Sequence, residues 1–348
     1  MKSADVIIAG AGIIGVSIAL ELRERGASVL VLDRGVAGQE SSSAAAGMLA
    51  PADPETPPAL RSMALESARV FPEYVRKIES LSGVTTDFRR HGTIAFLNAG
   101  ATVPTEYSRL SAADLHRLEP RLQSQGLSAF LIREDTVDPR LLMQAALAAA
   151  RRLGVKFREN TEVKEIRSGE NEVEVLTTCG EFTSHTAINC RGAWAGAPVR
   201  PRKGQMLYLQ PAQSDLLQHV VHAPDAYIVP RSSGKTLVGA TVEDVGFDKS
   251  VIPSTIDGLL RTAARYLPEL ASAPIVDSWA GLRPGTPDNM PILGLSGKPG
   301  IYVAGGHFRN GILLAPITAK IIANLVTNKD AGMDITAFAP SRFAPAKT

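Results

Sequence analysis

Apolar runs and helical stripes alternate at the start of the chain. Residues 5–9 (Asp-Val-Ile-Ile-Ala) are a short apolar run that stops at Gly10, the pattern of a buried parallel strand. Residues 13–25 set Ile14, Ile18 and Leu22 on one helical stripe with charges at the far end, and Gly26 is a natural stop. A second buried strand over 28–32 ends at Asp33. From Gly38 to Gly47 the residues are small and polar, as in a linker or in a folded loop lying against a ligand. The apolar Met48-Leu49-Ala50 that follows favours the loop. The prolines of 51–58 predict an exit into another domain, with β-rich material beyond.

Asp138-Pro139 reads as a helix N-cap with proline at the first helical position, and Gly154 ends that helix. Strands are predicted over 155–166, 172–177 and 182–189, then over 206–209, 226–230 and 236–240, the last two as a hairpin. The run from Gly300 to Ala304 is another buried strand, broken by Gly305-Gly306 before a helix over 311–326 that carries Pro316 near its first turns. The predicted fold class is α/β plus α+β. A discontinuous Rossmann-like domain, expected to bind a cofactor, takes 1–50, 135–200 and 295–348; a second, β-rich antiparallel domain, expected to bind substrate, takes 51–134 and 201–294.

The cofactor expectation rests on Gly10-Ala-Gly12-Ile13-Ile14-Gly15, a G-x-G-x-x-G run between strand and helix, followed by Asp33 at the end of the next strand. The first glycine permits the tight turn, the second lets backbone approach a pyrophosphate, and the third allows close helix–strand packing. Asp33 is placed to accept a ribose hydroxyl. The motif alone leaves NAD and FAD open. An NAD dehydrogenase would continue with alternating strands and helices, whereas this chain departs near residue 50 and returns twice, a common plan for FAD proteins.

Composition changes this picture little. In 348 residues, 37 basic side chains face 35 acidic ones, and that near-balance argues against nucleic acid as the main partner. Two cysteines, Cys179 and Cys190, make no disulfide framework or metal-ligand cluster, and the six histidines are scattered along the chain, so no metal site is predicted. The apolar N-terminus is interrupted by glycines and runs into charges, unlike a signal peptide. The expectation is a cytoplasmic protein that does not enter membranes.

Three further stretches bear candidate chemistry. Gly306-His307-Phe308-Arg309-Asn310-Gly311-Ile312-Leu313 opens the last helix, whose N-terminal N–H groups could stabilise charge on a reduced flavin or simply form a cap. Arg283 lies in an apolar, turn-rich stretch, where its planar fork suits a carboxylate ligand or an ion pair with Asp277 or Asp288. Tyr227 alternates with Val229 on a strand and by itself reads as a half-buried core tyrosine; His222 and His307 by themselves read as structural. The basic run Arg200-Pro-Arg-Lys203 reads as a solvated turn.

Taken together, Ser43 to Leu49, Tyr227 to Arg231, Trp279 to Thr286 and Gly306 to Pro316 resemble the glycine oxidase branch of the D-amino-acid oxidase family, associated with thiamine biosynthesis. The resemblance covers essentially the whole chain. It implies noncovalent FAD and oxidation of glycine, sarcosine or a small D-amino acid to an imine, with hydrogen peroxide formed from oxygen. It also implies a homo-oligomer, commonly a tetramer. By position, Arg283 would clamp the substrate carboxylate, Tyr227 would donate to it, and Arg309 would lie near substrate and flavin. Met48 and His222 would complete the substrate pocket, His222 standing where the family has a second tyrosine. Ile13 and Ile14 in the glycine turn, Asp33, Arg34, Ser41, Ser42, Ala46, Gly47, Met48, Val163 and His307 to Leu313 would contact the cofactor. Neither cysteine matches the site of covalent flavin attachment in related sarcosine oxidases. A D-amino-acid dehydrogenase passing electrons to a quinone keeps the same fold. An NAD-dependent dehydrogenase and a non-catalytic nucleotide-binding protein are further alternatives.

Overall fold

In the computed structural model, which describes residues 2–343, the opening apolar run becomes the strand Lys2–Ala9 at the middle of a sheet. Its parallel neighbours are Val29–Leu32 on one side and Gly180–Asn189 on the other. Lys156–Arg158 and Ile301–Gly305 extend the parallel order outward, and Ile292–Leu295 adds an antiparallel edge. Val163–Ser168 and Val173–Thr177 join as an antiparallel ribbon on Gly180–Asn189. The stretch 155–166, expected as one strand, is therefore two: it turns at residues 159–162, where Asp33 and Gly35 carbonyls accept the N–H groups of Thr161 and Asn160.

The two-residue period of the central strand divides its side chains between cores. Val6 and Ile8 pack toward helices, while Ile7 and Ala9 pack with Val175 and Ile301 on the opposite face. The helical layer consists of α1 (Ile13–Glu24), α2 (Pro58–Ser82), α4 (Pro139–Arg152) and α6 (Gly311–Val326). Helices α3 (Ala112–Leu118) and α5 (Pro253–Tyr266) lie elsewhere, on the second sheet. Asp138 caps α4 by accepting from the Arg140 and Leu141 N–H groups.

Helix α2 corrects the expectation of β-rich material after residue 50. Leu60, Met63, Ala64, Ser67, Phe71, Val75 and Ile78 form one buried stripe that shares the core of α1, α4 and α6. Tyr74 meets the Ser17 hydroxyl at 2.7 Å, and Ser67 Oγ donates to the Leu313 carbonyl at 2.6 Å. Pro72 sits inside the helix, where it lacks an N–H to donate. The surrounding apolar burial outweighs that loss.

The second sheet runs, edge to edge, Ile275–Gly285, Arg200–Leu209, Thr236–Gly239, Ala226–Pro230, Val220–Ala223, Thr93–Leu97, Ser128–Ile132 and Ser108–Arg109. Every pairing is antiparallel except that of Val220–Ala223 with Thr93–Leu97. Helix α5 lays Ile256, Leu259, Ala263 and Tyr266 on one face of it, and the Tyr266 ring stacks on Phe96 at 5.6 Å. The architecture is thus a Rossmann-like layer joined to an antiparallel sheet domain. No helix among the described residues is long and apolar enough to cross a membrane.

The basic run Arg200–Lys203 is not a solvated turn. It begins a strand that pairs along its length with Ile275–Gly285, and the Lys203 side chain is fully buried.

Candidate active site

A cavity of about 780 Å³ runs from the glycine turn, between the two sheets, to the strand that bears Tyr227. Its inner end is made largely of backbone. Gly10 adopts φ +110°, and a Cβ there would collide with the Cys190 carbonyl. Gly15 does not line the cavity: it packs against the Gly10 carbonyl behind the turn. Asp33 holds the turn by accepting from the Ala11 N–H at 2.7 Å and the Gly35 N–H at 2.9 Å. Burial pushes its carboxyl above the usual range, and those two hydrogen bonds pull it back. Ser42 Oγ accepts from the Ile13 N–H at the start of α1, 2.9 Å away. Ser41 Oγ donates to the Leu282 carbonyl at 2.9 Å, which joins this loop to the second sheet.

Along the wall, the loop 44–48 is held from the side of the second sheet. Trp279 Nε1 donates to the Ala44 carbonyl at 3.1 Å, and Arg231 Nη2 to that of Ala46 at 2.5 Å. Arg231 Nη1 also reaches the Val137 carbonyl, whose N–H in turn donates to the Gly47 carbonyl. Arg231 is buried and was given no role on sequence grounds, because nothing local reveals its distant carbonyl partners. Trp194 was likewise missed. The Arg34 guanidinium lies 4.3 Å above its ring and Phe247 stacks beneath at 5.5 Å. The Val163 carbonyl accepts from Arg191 Nη1 at 2.9 Å.

At the outer end, Arg283 and Tyr227 come together from different strands. Arg283 Nη1 donates to the Thr241 carbonyl at 3.1 Å. Neither acid proposed as its ion-pair partner is available: Asp277 pairs with Arg140, and Asp288 with Arg342. Among the described residues no carboxylate pairs with Arg283, and its guanidinium lines the cavity. Burial raises the Tyr227 hydroxyl above its ordinary pKa, and the guanidinium of Arg283 draws it back. Both side chains lie flat on backbone. A Cβ at Gly204 would strike the Arg283 guanidinium, and one at Gly239 would come within 2.6 Å of the Tyr227 ring. His222 opposes Tyr227 across the strand pair and lines the same cavity; its burial depresses its pKa, so the ring is neutral.

The segment before α6 closes the remaining side. His307 is buried, with Nε2 3.1 Å from Thr318 Oγ1, and desolvation lowers its pKa to about 3. Phe308 takes φ +48°, a left-handed conformation that costs a non-glycine residue about 1–2 kcal/mol. Its N–H donates to the Pro284 carbonyl at 2.9 Å, fixing this segment beside Arg283. Arg309 lines the cavity but is paired with Glu55 of the loop before α2. Asn310, Gly311 and Ile312 face the cavity; Leu313 does not, being packed in the helical core.

A family profile described as "DAO: FAD dependent oxidoreductase" matches residues 5–325. The chain belongs to that family. Its cofactor is FAD, and the inner end of the cavity fits such a group: a Cβ-intolerant turn at Gly10, the α1 N-terminus and Asp33 lie together. Similar proteins include the bifunctional protein ThiO/ThiG of Nostoc sp. (strain PCC 7120), 37% identical over 360 residues that cover 97% of this chain. The chain spans only 55% of that relative's length. The glycine oxidase of Geobacillus kaustophilus (strain HTA426) is 34% identical over 367 residues, with 97% of each chain covered. A crystal structure of glycine oxidase from Geobacillus kaustophilus superposes on this FAD-dependent oxidoreductase with a TM-score of 0.92 at 32% identity, covering 98% of this chain and 99% of that one.

Proposed function

We propose that this flavoenzyme oxidises glycine or another small amine, such as sarcosine or a small D-amino acid, to the imine or 2-oxo acid with release of hydrogen peroxide. The observation that carries the reading is Arg283: a cavity-lining guanidinium without a carboxylate partner among the described residues, beside the Tyr227 hydroxyl, in the cavity that begins at the FAD turn. The name of the Geobacillus relative favours glycine as substrate, and the family resemblance favours a place in thiamine biosynthesis.

Bound FAD supplies the two-electron acceptor. In this reading Arg283 accepts the substrate carboxylate in its fork, and Tyr227 donates to the same carboxylate. Met48, His222 and Arg309 bound the rest of the substrate. A neutral His222 and a neutral His307 add no cation to compete with Arg283 for the carboxylate or to repel an ammonium group. Position does most of the work, so no strong side-chain base is needed.

We assign FAD contacts to Gly10, Gly12, Ile13, Ile14, Asp33, Arg34, Ser41, Ser42, Ala46, Gly47, Met48, Val163 and 307–312. The cofactor is noncovalent in this reading: Cys190 lines the cavity at the glycine-turn end and its thiol is pushed up by burial, so it is a poor nucleophile. Because α2 shares the core of the cofactor domain, we divide the chain into 1–82, 135–199 and 286–348 for FAD and the remainder for substrate. A cytoplasmic homotetramer follows the family resemblance.

The test is an anaerobic titration of the purified yellow protein with glycine, sarcosine, D-alanine and D-proline, followed by peroxide assay in air. Bleaching of the flavin band by at least one of them, with peroxide on turnover, is expected. Bleaching and dye reduction without peroxide would select the dehydrogenase reading instead, and no bleaching by any amine would end the proposal.

A further inference from the structure

Lys203 is fully buried, yet it does not line the cavity. Its ammonium lies 3.3 Å from Asp248 and 3.6 Å from Glu243. Both acids belong to the irregular segment 241–252, which runs antiparallel beside the strand Arg200–Leu209 near Arg283, with Glu243 bridged to Lys203. Val242, Val245 and Phe247 of that segment are more than two-fifths exposed, and its other attachments lie at the surface: Phe247 stacks on Trp194, Asp244 pairs with Arg202 and Lys249 with Glu40. Two backbone hydrogen bonds between Lys203 and Glu243, at 2.9 and 3.0 Å, attach it to the strand. Gln205 reinforces the attachment, donating from Nε2 to Glu243 at 2.8 Å and accepting from the Ile252 N–H at 2.7 Å. The same segment supplies the Thr241 carbonyl that holds Arg283 Nη1. Thr241 Oγ1 is itself fixed, accepting from the Gln205 N–H and donating to Glu243.

Burying an ammonium is costly, and a paired buried charge rarely adds net stability over an apolar residue. A geometric role explains its presence better. Resting on the carboxylate-clamp reading of Arg283, we propose that Lys203 is a positioning residue: it draws Glu243 and Asp248 onto the strand and so sets the Thr241 carbonyl that aims Arg283 at the substrate carboxylate. Glu243 is tuned for this. Burial raises its pKa, but hydrogen bonds from Gln205 and Thr241 and the charge of Lys203 outweigh that and hold it below the usual range, which favours the carboxylate.

The experiment uses FAD-loaded protein and unreactive ligands read by the change in flavin absorbance: acetate, which needs the clamp, and acetamide, which carries no charge. Lys203→Met should weaken acetate binding and raise the KM of the reactive amine about tenfold, with kcat at saturation changed by no more than about twofold. Acetamide binding and FAD affinity should be unchanged, and Lys203→Arg should restore most of the acetate affinity. Glu243→Gln tests the same link without an apolar replacement, and it carries the experiment if Lys203→Met does not fold. Arg283→Ala is the control. If it weakens acetate binding while folded Lys203→Met or Glu243→Gln binds acetate like the parent, the positioning role is wrong. Equal losses for acetate and acetamide would also overturn it, since general loosening would then be the cause. If Arg283→Ala leaves acetate binding intact, the clamp reading falls and this inference with it.

Discussion

The two ends of the cavity are built on opposite principles. The FAD end is local: a turn, a helix N-terminus and Asp33 lie within the first strand–helix–strand unit, and main-chain groups do most of the shaping. The other end, around Arg283, is assembled across the sheet from side chains. Arg283, Tyr227, Gly204, Gly239 and Thr241 come from four strands and one irregular segment, and each depends on another's position. A backbone-built site tolerates side-chain change except where a Cβ cannot fit. A side-chain-built site can be retuned by single substitutions.

That contrast predicts separable losses. The largest effect is expected for Arg283→Ala, which removes a charge-assisted fork worth about 1.5–3 kcal/mol per bond and should raise KM about 100-fold or more. FAD affinity should stay at the parent value; steady-state kinetics with a flavin-release assay checks both, and a loss of FAD would mean that the two ends are not independent. A smaller and opposite pattern is expected for Asp33→Ala. The Ala11 and Gly35 N–H groups lose their acceptor, so the FAD dissociation constant should rise about tenfold while the KM of the reconstituted enzyme barely moves. Comparing KM at saturating FAD settles the point.

The smallest effect concerns Glu134, buried beside the second sheet, whose Oε1 has no hydrogen-bond partner among the described residues. Burial pushes its pKa up to about 8, and Asp53 and Asp135 add to the rise against a hydrogen bond from Thr93. The unfolded carboxyl ionises near 4.5. Between these values the folded state holds more protons than the unfolded state, so this group's contribution to stability is full below about 4.5 and is lost as pH rises through about 8. Glu134→Gln should therefore raise Tm by roughly 2–4 °C at pH 8–9 and by much less near pH 5. Equal shifts at both values, in thermal melts followed by flavin fluorescence, would rule out the titration.

Legibility followed the same divide. The glycine turn, α1, α4 and α6 were readable because their caps, stripes and stops are short-range signals. Helix α2 was not, since Pro72 suggests a break that only its buried stripe overrides. Arg283 and Tyr227 could be singled out by residue type and resemblance, but not freed from rival roles. Only the pairing of Asp277 with Arg140 and Asp288 with Arg342 removed the ion-pair reading of Arg283. Lys203 looked solvated because a run of basic residues ordinarily is; its acids lie some forty residues away in sequence.

By itself, the sequence determined the glycine turn between the first strand and α1, which has the form of a dinucleotide site, because such a turn needs only a few adjacent backbone groups in fixed conformations. The tertiary structure decided which charges are spent on the fold and which remain for a ligand. Arg231, Arg140 and Lys203 are committed to carbonyls or carboxylates, whereas Arg283 is held by carbonyls alone and keeps its charge for the cavity. Such commitments depend on distances across strands, and no local pattern of residues encodes them.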